Sequence, residues 1–248
     1  MHFHFATRLS GIAATIALST VAFAQTPTHI YDLNGSLADS LGGPAITNSL
    51  GGVLGASGVT FSDNQGLSLS GALSPTTYSI EMQFSITDTS GFARLIDFKN
   101  RTSDTGLYNL NTSLNFFNVV TGPADAITAN SLTHLIITRD GVTNEFTGYV
   151  NGVSQISFTD SGSLGAFTGP SNIGYFFVDD NSVGGETSPG FVDYIRTYDS
   201  ALTAAQVRDR FNNRDTPGSP SAAPEPSTLA LLGFAALGLV GVARRRKR

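Results

Sequence analysis

The chain has 248 residues, with 14 basic and 19 acidic side chains and no cysteine. Residues 25–226 hold 8 of the basic and all 19 of the acidic side chains, so this part is a poor electrostatic partner for nucleic acid. The lack of cysteine excludes disulfides, thiolate metal sites and cysteine nucleophiles. A high glycine content, 27 residues, together with a charged fraction of 13%, indicates a turn-rich β-protein.

Residues 1–24 have the pattern of a secretory signal peptide. Arg8 is followed by an apolar stretch from Leu9 to Leu18 and then by the small-x-small triplet Ala22-Phe23-Ala24. The apolar stretch is shorter than the roughly 20 residues that a membrane-spanning helix needs. We therefore expect signal peptidase to cleave after Ala24; a retained membrane anchor is the alternative.

Alternating apolar and polar residues predict strands through most of residues 29–211. The run from Tyr78 to Ile86 alternates over its whole length, which predicts one face on the core and one face in water. Asp140-Gly141 and Asn151-Gly152 supply the positive φ angles of tight hairpins, so strands near 132–139, 146–150 and 153–158 form a meander. A further strand is expected near 191–198.

One helix is predicted, at the end of this region. Thr203 and Gln206 have the spacing of a capping box, and the apolar residues Ala204, Val207 and Phe211 follow on one side. Since no strand–helix–strand alternation is present, the expected fold is all-β: a two-sheet antiparallel sandwich of about 12 strands with one short C-terminal helix.

Five segments, taken in order, resemble the successive signatures of LamG-like, concanavalin A-like jelly-roll domains. They are Tyr31-Asp32 with Ser36 to Gly42, the strand from Tyr78, Thr133 to Gly141, Gly148 to Gly152, and Gly190 to Tyr198 with Ala201-Leu202-Thr203. The resemblance covers most of residues 29–211, and we take 25–211 as the domain. Leu132 stands where the family usually has Trp, which puts a close subfamily assignment in doubt.

The acidic residues do not form a known catalytic motif. Jelly-roll glycosidases resembling this chain carry Glu-x-Asp-x-x-Glu on one strand, whereas the four glutamates here, at positions 81, 145, 186 and 225, are all more than six residues apart. Beyond residue 24 the only histidines are His29 and His134, and no serine-hydrolase elbow or zincin motif occurs. We interpret His134 as structural and expect a non-catalytic protein; an enzyme with a dispersed site is the alternative.

The family resemblance implies a structural calcium ion near the joined chain ends. The matching acidic positions are Asp39, in the first loop, and Asp193, in the last strand. The alternatives are a turn-capping residue for Asp39 and a satisfied buried carboxylate for Asp193. Asp179-Asp180-Asn181 is another possible ligand cluster, or else a solvated turn.

Two aromatic pairs are candidates for sugar binding. Neighbouring residues of a strand point to opposite faces, so one ring of Phe116 and Phe117, and one of the Tyr175-Phe176-Phe177 run, should point away from the core. Aromatic faces beside polar side chains are typical of glycan sites. We therefore expect Phe116, Phe117, Phe176 and Phe177 to form a platform on the concave sheet; alternatively the outward rings lie under a loop or the helix.

The C-terminal region is a polar linker, residues 212–223, followed by a tripartite segment, residues 224–248. This segment consists of Pro224-Glu225-Pro226, an apolar run from Leu229 to Ala243 and five basic residues. Residues 228–243 suit a short span of the inner membrane, with the basic cluster on the cytoplasmic side. The order of the parts resembles the PEP-CTERM sorting signal of Gram-negative bacteria, which implies that an exosortase-type protease removes the helix.

These observations predict an exported, non-catalytic LamG-like module. The precursor is expected in the inner membrane and the product at the cell surface or in the extracellular matrix, where it binds a glycan or a matrix or surface protein. The alternatives are a structural biofilm or envelope protein without a discrete ligand, and a polysaccharide-active enzyme whose acidic pair comes from distant strands.

Overall fold

Over residues 25–48 and 50–214, the ranges that the computed structural model describes, the chain forms 14 β-strands, one 3-10 helix (Pro170–Asn172) and one α-helix, α1 (Ala204–Asn212). The strands are β1 (His29–Tyr31), β2 (Val53–Leu54), β3 (Val59–Phe61), β4 (Leu67–Leu69), β5 (Tyr78–Ile86), β6 (Phe92–Asp97), β7 (Gly106–Leu110), β8 (Ser113–Phe116), β9 (Val120–Thr121), β10 (Thr133–Arg139), β11 (Glu145–Val150), β12 (Val153–Thr159), β13 (Gly174–Phe176) and β14 (Gly190–Tyr198).

The strands form two antiparallel sheets. The eight-stranded sheet has the order β12-β11-β10-β5-β14-β3-β2, with β1 also paired to β14, and the six-stranded sheet has the order β4-β13-β6-β7-β8-β9. The predicted meander of β10, β11 and β12 is present. The predicted sandwich is therefore confirmed. Asn151-Gly152 forms the predicted tight turn, with positive φ at both residues. The prediction for Asp140-Gly141 was wrong, because residues 140–144 form a longer connection whose positive φ lies at Asn144. The strand number exceeds the expected 12 because strands of two or three residues are too short to show a period.

The core lies between the sheets, and the alternation of β5 was predicted correctly on this side. Tyr78, Ile80, Met82, Phe84 and Ile86 are all at most 2% exposed. The other face of β5 was expected in water, and this was wrong, because Ser79, Glu81 and Gln83 are buried too. A second apolar layer covers that face.

Helix α1 supplies this second layer. The Thr203 side chain accepts a hydrogen bond from the Gln206 backbone, and the Gln206 side chain accepts one from the Thr203 backbone, so the predicted capping box is confirmed. Val207 packs with an apolar cluster on the outer face of the eight-stranded sheet, made of Ile136, Tyr149, Tyr198 and Leu202.

The expected signal peptide, the linker beyond residue 214 and the sorting signal lie outside the described residues. Within the described ranges, no helix has the length and apolar character required to cross a membrane.

Candidate functional site

The outer face of the six-stranded sheet carries a row of polar and aromatic side chains. Arg94 on β6 is paired with Tyr108 on β7, and Tyr108 is paired with Asn115 on β8. Their neighbours Ala93, Leu107 and Leu114 point into the core. Because side chains alternate along a strand, the row of Arg94, Tyr108 and Asn115 must point outward.

Three aromatic rings meet on this face. The Phe92 ring centroid lies 5.5 Å from that of Tyr108 and 5.7 Å from that of Phe117, and the Tyr108 and Phe117 centroids are 5.9 Å apart. Tyr108 is buried beneath the other two, whereas Phe92 and Phe117 are half-exposed. Phe92 and Phe117 line a cleft of about 270 Å³ together with Leu110, Asn115, Asn118 and Thr121. We call this the aromatic cleft.

Asn115 gives the aromatic cleft a polar group. Its Nδ2 donates to the Val120 carbonyl at 3.3 Å and lies 2.8 Å from the Thr121 hydroxyl, which fixes the orientation of the amide. Its Oδ1 is buried and accepts no hydrogen bond from the described residues. Since an unsatisfied buried acceptor is unfavourable, this oxygen suits a hydroxyl or water donor entering the cleft.

Of the four predicted platform rings, Phe117 alone reaches the surface. Phe116 and Phe176 are fully buried, and Phe177 is 2% exposed. Strand alternation holds for the first pair. It fails in the second because Phe177 has a φ of 63°, outside strand geometry, and its ring stacks on Phe61 at 4.4 Å. Phe116, Phe176 and Phe177 therefore present no ring face to a ligand, and the outward position of that run is taken by Tyr175, which is half-exposed.

Next to the aromatic cleft, one guanidinium is surrounded by four aspartates. The Arg94 side chain is fully buried and lies 3.2 Å from Asp97, 3.3 Å from Asp104 and 3.6 Å from Asp179, and it also contacts Asp180. The guanidinium carbon lies 4.4 Å from the centre of the Tyr108 ring. We call these five charged residues the Arg94 group.

Three of the four carboxylates of the Arg94 group accept hydrogen bonds from backbone N–H groups. Asp97 accepts from the backbone N–H of Lys99 and Arg101, at 3.0 and 2.8 Å. Asp179 accepts from the Glu186 N–H at 3.0 Å, and Asp180 accepts from that of Val183 at 3.1 Å. The interpretation of residues 179–181 as a solvated turn is therefore wrong for both aspartates, which are 2% and 5% exposed.

Glu186 joins this surface as a fifth carboxyl group. Its backbone carbonyl accepts from the Arg94 N–H at 2.8 Å, which extends the edge of β6. Burial and the neighbouring charge of Asp104 raise the pKa of Glu186 to about 7. Two close carboxyl groups from distant parts of the chain are the feature that could support acid–base chemistry, and Asp104 and Glu186 are such a pair.

A second buried charged group lies under α1 and is structural. The Glu81 carboxylate contacts five side chains, with Arg196 at 2.9 Å, Arg210 at 3.0 Å, His134 at 3.1 Å, Tyr194 at 3.2 Å, and Tyr198. Burial opposes ionisation, but the His134 hydrogen bond and the two arginine charges outweigh it and hold the pKa of Glu81 at about 2. This arrangement agrees with the structural interpretation of His134.

Asp39 does not have the geometry of a calcium ligand. Its Oδ1 accepts from the N–H of Ile30 and Leu41 at 2.9 and 3.0 Å, and its Oδ2 contacts the Gly43 N–H and His29 Nδ1, both at 2.8 Å. These four contacts use all the lone pairs of the carboxylate.

Asp193 lies half-buried at a register shift in β14. No three acidic or histidine side chains in residues 25–48 and 50–214 have a metal-binding arrangement. Calcium binding thus stays a prediction, and Asp39 matches its turn-capping alternative.

Two larger clefts lie among loops. One of about 420 Å³ is lined by His29, Asp199 and residues 71–74, and one of about 370 Å³ lies within residues 32–40. Neither is lined by Phe or Tyr. The aromatic cleft is therefore the stronger candidate for ligand binding.

Sequence reasoning missed Phe92, Asn115 and Glu186. Since Phe116 points into the core, strand alternation places both of its neighbours, Asn115 and Phe117, on the outer face. Asn115 could therefore have been predicted as a site residue from the same strand. Phe92 begins β6, and its outward orientation follows only from the orientation of Arg94, two positions later on the same strand. No local pattern marks Glu186, because its position depends on pairing with β6, about 90 residues earlier.

Comparisons with known proteins agree with this architecture. Residues 54–208 match the family model described as the concanavalin A-like lectin/glucanases superfamily, and residues 222–247 match the PEP-CTERM protein-sorting motif. That motif indicates an exported protein that an exosortase sorts to the cell envelope. No curated protein matches the sequence.

Several solved structures share the fold. Domain 4 of an extracellular arabinanase from Geobacillus stearothermophilus, in complex with arabinotriose, has a TM-score of 0.55 and 21% identity over 76% of this chain and 98% of that one. Trypanosoma rangeli sialidase in complex with sialic acid gives 0.60 and 17%, over 81% of this chain and 35% of the sialidase. The binding domain of botulinum neurotoxin serotype D gives 0.54 and 10%, over 77% and 53%.

At these identities the likeness establishes the fold and leaves the ligand open, since unrelated functions share one fold. The chain spans only about a third of the sialidase. The family match covers more than half of the chain, and the two-sheet sandwich is the fold that this match implies. The chain therefore belongs to the concanavalin A-like lectin/glucanases superfamily.

Proposed function

We propose that the chain is an exported glycan-binding module whose ligand lies in the aromatic cleft. The observation that carries this proposal is the pairing of two half-exposed rings, Phe92 and Phe117, with Asn115, whose amide oxygen has no partner among the described residues. Sugar rings present C–H faces that pack on aromatic rings and hydroxyls that hydrogen bond to amides.

The fold comparison supports the same proposal. The arabinanase domain is almost fully covered by the alignment, and its structure contains arabinotriose. A domain of similar fold, part of a larger protein, has thus been solved in complex with a sugar. Which sugar this chain binds is a separate question that its own residues must answer.

Binding rather than catalysis is the function we propose. Asp97, Asp179 and Asp180 hold backbone N–H groups and the buried Arg94, so they stabilise loops. Among the residues that the structure describes, Asp104 and Glu186 are the acidic pair near the cleft that could act as acid and base. A glycosidase also needs these two groups on either side of a sugar linkage, and Asp104 is held by Tyr108 at 2.8 Å instead.

The sorting motif supports a location of the proposed activity in the cell envelope. We propose that the processed protein acts at the surface or in the extracellular matrix of a Gram-negative bacterium, where polysaccharides are abundant. A role as a structural envelope protein without a discrete ligand, or as a binder of a surface protein, is the competing proposal.

The test is affinity electrophoresis of the chain through gels that contain a panel of polysaccharides. We expect selective retardation in at least one gel, and we expect Phe117→Ala to remove most of it, because the substitution deletes one of two exposed ring faces. Loss of one stacking partner from a small site is worth about 1–3 kcal/mol, or roughly 5- to 150-fold in affinity.

Phe191→Ala is the matched control. Phe191 is half-exposed like Phe117, but it lies on β14 in the other sheet. Retardation that both variants keep would exclude the aromatic cleft. Unretarded migration in every gel would favour a protein partner or a structural role, and shortened polysaccharide recovered from a gel would show that the protein is an enzyme.

A further inference from the structure

The Arg94 guanidinium already interacts with the four aspartates of the Arg94 group. Four carboxylates lie within 3.6 Å of this one guanidinium, counting the contact with Asp180. The second nearby cation, Arg101, donates its Nε–H to the backbone carbonyl of Asp179. The two guanidinium groups are therefore outnumbered by four aspartates before Glu186 is added.

Of the five carboxyl groups around Arg94, Glu186 is the one that forms no ion pair with a described residue. Among the described residues no guanidinium or ammonium lies within ion-pair distance of it, and its Oε2 is buried without a hydrogen-bond partner. The groups that face it are Asp104, Asp179 and the Tyr108 hydroxyl, with Arg94 beyond them. The raised pKa of Glu186 is the expected result of burial beside like charges.

The carboxyl groups of Glu186 and Asp104 adjoin the aromatic cleft. Tyr108 connects them, since its hydroxyl lies 2.8 Å from Asp104 while its ring contacts Phe92 and Phe117. The backbone pairing of Glu186 with Arg94 places Glu186 beside the strand that carries Phe92. Thus one continuous face presents the rings of Phe92 and Phe117, the amide oxygen without a partner and, on the other side of the Tyr108 ring, two carboxyl groups. We call these two groups, Glu186 and Asp104, the acidic edge.

We infer that this face recognises a glycan that carries protonated primary amines, such as a polymer containing unacetylated glucosamine. The sugar ring packs on Phe92 and Phe117, and the ammonium lies toward Glu186 and Asp104. An ammonium offers three N–H donors and a full positive charge, which the acidic edge lacks and a neutral sugar cannot supply. This inference rests on the proposed function, because it assigns the ligand class of the same cleft.

The test compares two matched probes by isothermal titration calorimetry. They are an oligomer of glucosamine and the N-acetylated oligomer of the same length, each titrated into the full chain in detergent near neutral pH. Because the pKa of Glu186 is about 7 and the ammonium pairs with its ionised form, binding of the amine form should weaken as the pH falls below 7. We expect the amine form to bind at least tenfold more tightly. The preference should decrease with added salt, because the acidic edge is partly exposed.

Glu186→Gln removes the charge and keeps the shape of the side chain, so it should reduce the preference to near unity. Asp104→Asn is a second variant of the same kind, and circular dichroism checks that both are folded. Glu145→Gln is the matched control, since Glu145 is exposed on β11 in the other sheet. It should keep the full preference.

The outcomes separate this inference from the proposed function. Equal affinity for the two oligomers, or a preference that Glu186→Gln retains, would overturn the inference and leave glycan binding intact. The same holds if neither oligomer binds while another polysaccharide retards the protein. Binding of either oligomer that a chelator abolishes would mean that a metal ion, rather than an amine, meets the acidic edge. Absence of retardation by every polysaccharide would instead overturn the proposed function.

Discussion

Glu81 is the residue on which the eight-stranded sheet and α1 depend together. Its carboxylate is the shared counter-charge of Arg196 on β14 and Arg210 on α1, and all three side chains are at most 2% exposed. A buried ion pair contributes little compared with apolar packing, but removal of one partner leaves the other charge buried without compensation. The fold therefore needs Glu81 because Arg196 and Arg210 would otherwise be buried without their counter-charge.

We expect Glu81→Gln to lower the free energy of unfolding by about 3–5 kcal/mol, because Arg196 and Arg210 lose their common anion. Urea denaturation measures this change. Glu145→Gln, at an exposed position, should change the free energy by less than about 0.5 kcal/mol. Similar stability of Glu81→Gln and the unsubstituted chain would mean that the two arginines are not buried as described.

The same carboxylate predicts the acid sensitivity of the fold. The pKa of Glu81 is lowered from 4.5 to about 2, so the unfolded chain binds more protons than the folded chain between these values. Its stabilisation is present above about pH 4.5 and is lost as the pH falls toward 2. Glu81→Gln should lack this part of the pH dependence, so its difference from the unsubstituted chain should narrow in acid.

At the scale of elements, α1 is short and depends on its cap and on packing. Nine residues are too few for a stable isolated helix in water, so the capping box and the contacts of Val207 and Arg210 must hold it. Once formed, α1 covers the outer face of β5, which explains why polar residues on that face are buried.

Thr203→Ala should destabilise the protein by about 1 kcal/mol, because it removes the side-chain oxygen that accepts from the Gln206 N–H. Denaturant unfolding gives the size of the change, and hydrogen exchange should show faster opening of α1. Thr128→Ala serves as the control, since Thr128 is exposed in a loop. An unaltered exchange rate in α1 would contradict a capping role for Thr203.

The elements that sequence predicted are those with a local signal. The core-facing residues of β5, the Asn151-Gly152 turn and the capping box each lie within about ten residues, and all three are present. The surroundings of Arg94 could not be predicted in this way, since Asp180 is 86 positions away along the chain. Phe177 escaped prediction for another reason, because its positive φ breaks the alternation that its neighbours suggest.

At the scale of the whole molecule, the two outer faces of the sandwich have different tasks. The outer face of the eight-stranded sheet is covered by α1 and holds the Glu81 charges, so it stabilises the fold. The outer face of the six-stranded sheet carries the aromatic cleft and the acidic edge. Family membership predicts the sandwich, but it does not predict which face remains open; that depends on where the last helix packs.

Deletion of residues 224–248 should abolish membrane retention of the precursor and leave the body folded. The apolar run from Leu229 to Ala243 is what would enter the bilayer, whereas the two-sheet core lies within residues 25–214. Membrane fractionation and thermal melting measure the two effects. A truncated protein that still sediments with membranes, or that melts at a much lower temperature, would refute this division of roles.

The packing of α1 has a mechanical consequence. The chain leaves the described body at Arg214, directly after α1, on the side of the sandwich opposite to the aromatic cleft. Two packed sheets, about 10 Å apart, separate these sides. An attachment through the C-terminal segment would therefore leave the cleft unobstructed, and a molecule with the proposed function would then be able to hold two materials at once. In that case the protein would act as a cross-link, and many copies side by side would bind a polymer far more tightly than one copy alone.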